Sequence, residues 1–474
     1  MADDKKLHIV MFPWLAFGHM IPYLELSKLI AEKGLRVSFI STPRNIKRLP
    51  TKIPPHLAPY LNFVKIPLPQ DDGLPQDAEA TSDLPYDKVQ FLKKAFDGLK
   101  QPLFDFLQTS DADWILHDFA PYWLSKEMGP TLGIKTAFFS IYPPHCLVII
   151  GPMFGDCRTK PEDFTVLPDW VPFPSTVMFR YFEIVRIFDG MFDNVSGISD
   201  TDRLKMSAHY SDLVVVRGCP QFGQEWIQLL GDVYGKTILP VGQLPRSEYD
   251  SGDDNPSWRS IKEWLDQQSQ ASVIYVAFGS EAKPSQDELT EIALGLEKSE
   301  LPFFWVFKTR RGPSDPDPIE LPKGFEERTK GRGVVWTSWA PQLKILSHES
   351  VGGFLTHTGW SSIVEGVQSE KALIFLTFLS DQGINARLLE EKKMGYSIPR
   401  NELDGSFTGD SVAESLKLVM SEEGGKIYRE SIKETKNLFV NKEKDDRLID
   451  QFLDYLKEHK NEREELVGED DIEF

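Results

Sequence analysis

Residues Trp339–Gln382 read WAPQLKILSHESVGGFLTHTGWSSIVEGVQSEKALIFLTFLSDQ. Within them an apolar run, Gly353–Thr356, passes through THTGWSS into a helix-period segment, and a second apolar run, Ala372–Thr377, follows. A solidly apolar strand, a helix and another such strand form a parallel pair covered on both faces. The segment also holds an aromatic that could stack on a base, Trp339, and a glycine turn opening a helix, where free backbone N–H groups suit a diphosphate. Glu365 follows one helical turn later, and Asp381-Gln382 closes the segment. These are the parts needed to hold a nucleotide sugar.

The same pattern extends in both directions. Leu7–Phe12, Arg36–Thr42, Leu61–Pro67, Trp114–Phe119, Thr136–Ser140 and Leu213–Arg217 read as strands, as do Val273–Phe278, Phe303–Phe307 and Val334–Trp336. Helices are expected over Pro22–Lys33, closed by Gly34, over Pro85–Gln108, from Pro284 to about Lys298, over Gly383–Met394, and twice between about Gly424 and Lys457. The stretch PRSEYDSGDDNP at Pro245–Pro256 is polar, acidic and bounded by prolines, as an exposed linker is. The economical reading is α/β, two doubly wound Rossmann-like domains facing each other across a cleft. Residues 1–245 form the first, 246–257 the linker and 258–443 the second; 444–474 supply a helix returning to the first domain and an acidic tail.

Composition narrows the partners. The 474 residues hold 53 Lys and Arg against 72 Asp and Glu, a net charge of −19. Nucleic acid and anionic membrane both need basic surface, so neither is expected as a partner. A phosphate ligand stays possible, because a helix start binds it with backbone N–H groups. The three cysteines, Cys146, Cys157 and Cys219, have no Cys-x-x-Cys spacing, which argues for a reducing compartment and against a zinc site. The first apolar run has about six residues, fewer than the roughly 7–15 of a signal peptide core, and no run approaches a membrane span. A cytoplasmic monomer is expected.

Ligands of open parallel sheets bind beyond the C-terminal ends of the strands. Gly18-His19, Asp118, Gly279-Ser280, His357 and Asp381-Gln382 all sit there, and two facing domains would bring them to one cleft. His19 can act as a general base, with Asp118 orienting its imidazole. His117 would point to the opposite face of its strand. His357 can donate to a phosphate oxygen. Ser362 and Glu365 also have the spacing of a capping box, and Asp381 that of a helix N-cap, so both carboxylates have structural readings beside the functional ones. Trp14, Tyr142, His145, Phe378 and Leu379 flank the expected cleft and suit a flat or terpenoid acceptor.

Other signals fail. Gly231–Thr237 is one residue short of a phosphate-binding loop, and no Gly-x-Gly-x-x-Gly follows the first strand. Asp111 and Asp113 precede their strand, at the wrong end of a sheet for a ligand; Asp315 and Asp317 lie in a Pro-rich loop. No metal site is expected.

The segment Trp339–Gln382 resembles, without a gap, the signature box of plant family 1 UDP-glycosyltransferases: W-A-P-Q, L-x-H, F-L-T-H, G-W, S-x-x-E and the closing D-Q all stand in place. FPWLAFGHMIPYLELSKLIAEKG, VAFGSE and LLEEKKMGYSIPRNE are similar to that family too, most closely to the subgroup that extends the sugar of a glycoside. The resemblance implies a GT-B fold and an inverting, metal-independent transfer from a UDP-sugar, with no other cofactor. It implies that Trp339 and Ala340 flank the uracil, that Gln342 and Glu365 hold the ribose, and that Ser280, His357, Trp360, Ser361 and Ser362 surround the phosphates. Asp381 and Gln382 would bind the sugar, His19 would deprotonate the acceptor, and Asp118 would support it. Thr358 and Ser361 stand where the family usually has Cys and Asn; the shorter Ser361 bears on donor affinity. Gln382 fits glucose better than galactose and leaves rhamnose and xylose open. The alternatives are rhamnosyl or xylosyl transfer, direct glycosylation of an aglycone, a nucleotide-sugar-binding protein without transferase activity, and a nucleotide-sugar epimerase.

Overall fold

A computed structural model describes residues 6–50, 53–152, 155–246, 256–312 and 315–460. It contains two all-parallel sheets. The first has strands β1 (His8–Phe12), β2 (Arg36–Ser41), β3 (Leu61–Lys65), β4 (Trp114–His117), β5 (Lys135–Ser140), β6 (Leu213–Val216) and β7 (Ile238–Pro240), in the order β3-β2-β1-β4-β5-β6-β7. The second has β8 (Val273–Ala277), β9 (Phe303–Val306), β10 (Gly333–Trp336), β11 (Val351–Thr356), β12 (Ala372–Phe375) and β13 (Gly395–Ser397), in the order β10-β9-β8-β11-β12-β13.

Central strands such as β1, β6 and β8 are buried at every residue, which is why they read as unbroken apolar runs rather than alternating ones. In each sheet the strand order reverses once, between β1 and β4 and between β8 and β11. Those reversals are where the crossover helices diverge and leave a crevice. Most of the expected linker, residues 247–255, lies outside the described residues, as does the acidic tail from 461.

Two local expectations are corrected. The first helix runs Phe17–Glu32, five residues earlier than expected, with Pro22 inside it. Burial of Met20, Tyr23, Leu24, Leu26 and Ile30 outweighs the single backbone bond that Pro22 cannot donate. The helix expected over Pro85–Gln108 is divided into a 3₁₀ turn at Tyr86–Lys88 and helices Val89–Asp97 and Lys100–Thr109. Pro102 has no N–H for the Gly98 carbonyl, so the chain restarts a helix there. The short edge strands β7 and β13 have three residues each, too few to show a period.

The Lys442–Glu458 helix packs Ile449, Phe452, Leu453 and Leu456 into the core beneath the first sheet, and Trp114 Nε1 donates to the Leu456 carbonyl at 2.9 Å. Gly231–Thr237 is the end of the Pro220–Tyr234 helix, with Gly235 at φ +60 as its left-handed cap. One apolar cluster runs continuously from Phe138 and Val214 of the first sheet to Val273 and Phe354 of the second.

Candidate functional site

The crevices of the two sheets face each other. His19 lies in the first turn of the helix after β1, and Asp118 directly follows β4, so both occupy the first crevice. Asp118 is 2% exposed and accepts three hydrogen bonds, from His19 Nδ1 at 2.7 Å, Trp14 N at 3.1 Å and Phe119 N at 2.8 Å. The backbone donors fix the carboxylate, and the carboxylate keeps a proton on Nδ1. The His19 Nε2 lone pair is then left facing the cleft with no protein partner among the described residues. His117 turns the other way, to Ser211 Oγ at 2.9 Å, and burial pushes its pKa down to about 4.

The second crevice supplies an anion site. The Trp360–Gln368 helix begins after β11 with Gly359 as its N-cap and no side-chain cap. Its first internal bond runs from Ile363 N to Gly359 O at 3.1 Å. The N–H groups of Trp360, Ser361 and Ser362 therefore have no helical acceptor, and the helix dipole adds positive potential there. His357 lies beside them in a slot made by two glycines: a methyl group at Gly279 would come 2.7 Å from its Nε2, and one at Gly359 2.5 Å. Burial lowers the His357 pKa to about 4, so the ring is neutral at pH 7 and offers a hydrogen bond rather than a charge. Ser280 follows Gly279 in the opposite loop, its hydroxyl on Glu281 Oε1 at 3.2 Å.

Both structural readings of the carboxylates are excluded by geometry. Ser362 is inside the helix, not at its cap, and Glu365 Oε2 accepts from Gln342 Nε2 at 2.6 Å instead of from the backbone. Ser362 and Glu365 share a face because they are three residues apart, and Gln342 reaches both. Tyr275 OH donates to Gln342 Oε1 at 3.2 Å, and burial raises the Glu365 pKa. Asp381 is the N-cap residue of the Gln382–Glu391 helix, but its side chain makes no cap bond; Oδ2 accepts from Asn385 Nδ2 at 2.7 Å. Desolvation raises the Asp381 pKa, and His19 is among the charges that act on it. Gln382 Oε1 accepts from Phe378 N and Leu379 N at 2.8 and 3.1 Å, which shapes the loop and leaves the amide N–H groups for a ligand. Trp339, 61% exposed, offers a bare ring at the rim beside Ala340.

Tyr142 joins the two crevices: its ring lies 6.3 Å from His19, and its hydroxyl is 3.1 Å from Ser380 Oγ, next to Asp381. Three other assignments change. His145 is buried against Trp226 and Trp360, with Nε2 3.0 Å from Asn385 Oδ1. Its pKa falls to about 3, so it is a neutral donor that holds Asn385, and through it Asp381, rather than an acceptor wall. The Trp360 indole turns away from the helix start to donate to Gln243 Oε1 at 2.8 Å, so only its backbone N–H remains there. Trp14 and Phe378 are buried, on Phe96 and Phe278 respectively, so of the expected acceptor residues Tyr142 and Leu379 are the more open.

Sequence reasoning missed Arg217, Gln243 and Asn385, which tie the sheets together. Arg217 has the same signal as Asp118, a charged residue immediately past a solid apolar strand. The carboxylate pairs dismissed as metal ligands are engaged otherwise. Asp111 binds His8 and Arg36 at the N-terminal edge of the first sheet, and Asp315 binds Lys283 at 2.6 Å. No cluster of three or more His, Cys, Asp or Glu among the described residues could hold a metal ion. No helix among them is long and apolar enough to cross a membrane.

The family described as UDP-glucoronosyl and UDP-glucosyl transferase matches residues 234–446. UDP-glycosyltransferase 91A1 of Arabidopsis thaliana is 53% identical over 96% of this chain and 97% of its own. The chain belongs to the plant family 1 UDP-glycosyltransferases. A second relative, the soyasaponin III rhamnosyltransferase of Glycine max, is 40% identical over 97% of both chains. The solved structure of Medicago truncatula UGT71G1 complexed with UDP-glucose superposes with a TM-score of 0.75 at 21% identity, covering 96% of this chain and all of that one. The fold of this UDP-glycosyltransferase is GT-B, and the enzyme transfers sugar from a UDP-sugar to a small-molecule acceptor.

Proposed function

We propose that the enzyme transfers a hexose, glucose in the first instance, from its UDP-sugar to a sugar hydroxyl of a terpenoid or flavonoid glycoside, with inversion and without a metal ion. The carrying observation is the His19–Asp118 pair, whose free Nε2 opens between Tyr142 and the Asp381 loop. His19 Nε2 takes the proton of the acceptor hydroxyl as its oxygen attacks C1 of the sugar. The C1–O bond to the second phosphate breaks, its electron pair leaves with UDP, and configuration at C1 inverts. Asp118 stabilises the imidazolium formed in that step.

Uracil stacks on Trp339 beside Ala340, the ribose hydroxyls meet Glu365 and Gln342, and the diphosphate sits on the helix start with His357, Ser362 and Ser280. Fixed N–H donors aimed at the departing diphosphate do the electrostatic work a metal ion does elsewhere. Asp381 and the Gln382 amide bind the sugar. Residues 1–245 carry the acceptor and 258–443 the donor, in a protein that acts as a cytoplasmic monomer. Rhamnosyl transfer is the second reading, favoured by the name of the soybean relative.

A panel of UDP-glucose, UDP-rhamnose and UDP-xylose against glycosides and their aglycones, with EDTA present, tests this by mass spectrometry. The expected product is a glycoside one hexose heavier, formed equally well with chelator. Donor binding with no product from any acceptor, or a strict need for Mg²⁺, overturns the reading.

A further inference from the structure

Arg217 directly follows β6, on the sheet opposite the donor crevice, and is only 2% exposed. Its Nη2 donates to the Gln243 carbonyl at 2.8 Å, and its Nη1 reaches across to Ser361 Oγ at 3.0 Å. Nε is buried with no partner. No carboxylate among the described residues forms an ion pair with it, although the charges of Glu365, Asp381 and Glu25 act on it from a distance. Burial lowers its pKa to about 10, which leaves it charged at neutral pH.

A buried guanidinium satisfied only by neutral oxygens is costly, and the planar fork of Arg is suited to an oxyanion. The start of the Trp360–Gln368 helix presents backbone donors with no helical acceptor, and Ser361 is its second residue. Gln243 fixes the approach: its side chain holds the Trp360 indole at 2.8 Å while its carbonyl holds Arg217.

Resting on the nucleotide-sugar reading above, we propose that Arg217 is a donor-binding residue that meets the diphosphate of the UDP-sugar at the Trp360–Ser362 turn. The donor site is thus completed by the acceptor-side sheet. The diphosphate supplies a directly hydrogen-bonded anion, in place of the neutral oxygens that the guanidinium meets among the described residues. Its charge also helps hold the two sheets together when donor is bound, and it stabilises the second phosphate as the sugar leaves.

The test measures UDP and uridine affinities of wild type, Arg217→Gln and Arg217→Lys, with melting temperatures with and without UDP. Losing a charge-assisted contact should weaken UDP binding about 10- to 100-fold, with uridine changed less than about 3-fold. The upward shift in melting temperature produced by UDP should shrink in Arg217→Gln relative to wild type. Arg217→Lys, which keeps the charge and loses the fork, should fall between. Unchanged UDP affinity, or equal losses for UDP and uridine in the folded variants, overturns the proposal. A wild-type enzyme that binds no UDP would instead refute the nucleotide-sugar reading beneath it.

Discussion

Asp118→Asn is the most informative single perturbation of the catalytic reading. The carboxylate oxygens divide their work: Oδ2 accepts from His19 Nδ1 and Trp14 N, and Oδ1 accepts from Phe119 N. An amide cannot satisfy all three donors. With its oxygen toward His19, its NH₂ opposes Phe119 N–H. Turned over, it opposes both Trp14 N–H and the Nδ1 proton, and drives that proton to Nε2, where the base is needed. The charge is lost in either orientation. An imidazolium and a carboxylate about 4 Å apart at an effective dielectric of about 20 attract by roughly 4 kcal/mol. That is worth about 10³ in rate, of which the amide dipole returns a part, so kcat should fall about 10²- to 10³-fold. Asp118 lies on the sheet opposite the nucleotide, so UDP affinity should change less than about 2-fold on the same argument. Initial rates at saturating donor and acceptor, read by mass spectrometry, give kcat, and calorimetry gives the UDP affinity. A kcat within 10-fold of wild type, or a matching loss of UDP affinity, refutes the reasoning.

Three further outcomes follow from the geometry. Trp339→Ala should weaken UDP binding about 10-fold, the order of one base–aromatic stack, and leave the melting temperature unchanged because the ring is 61% exposed; unchanged affinity would remove Trp339 from the site. Gly279→Ala places a side chain at φ +73 and a methyl group 2.7 Å from His357 Nε2, so the donor KM should rise several-fold while acceptor KM holds, as steady-state kinetics would show. Asp445 faces Gly242, and burial, aided by Asp446, pushes its carboxyl up to about 7 from an ordinary 3.8. Between those values the folded chain keeps a proton that the unfolded chain releases, so this group's contribution to stability falls as pH rises through the window. Asp445→Asn should therefore raise the melting temperature at pH 8 by a few degrees and by much less near pH 4.5; a constant difference across that range would contradict the assignment.

The fold was legible because strands covered on both faces cannot alternate. Runs such as Leu213–Val216 and Val273–Ala277 are apolar at nearly every residue and announce themselves. Helix ends were less legible, since the cost of Pro22 is local while the burial that outweighs it is tertiary. In the site, Asp118 and His357 directly follow β4 and β11 and His19 lies in the first turn of the helix after β1, positions at a crevice that topology alone determines. Trp360 offers the helix start only its backbone N–H, because a helix turns about 100° per residue and aims neighbouring side chains in different directions. Arg217 and Asn385 escaped notice because their meaning lies in partners 144 and 240 residues away, a separation no local pattern encodes.

The central claim is that His19 removes the acceptor proton while a separate crevice holds the UDP-sugar. It is tested most directly by measuring UDP affinity and glycoside product on one preparation of folded His19→Ala. Affinity near wild type with product formation abolished is the predicted result. Transfer at the wild-type rate, or parallel loss of UDP binding and product with the fold intact, would contradict it.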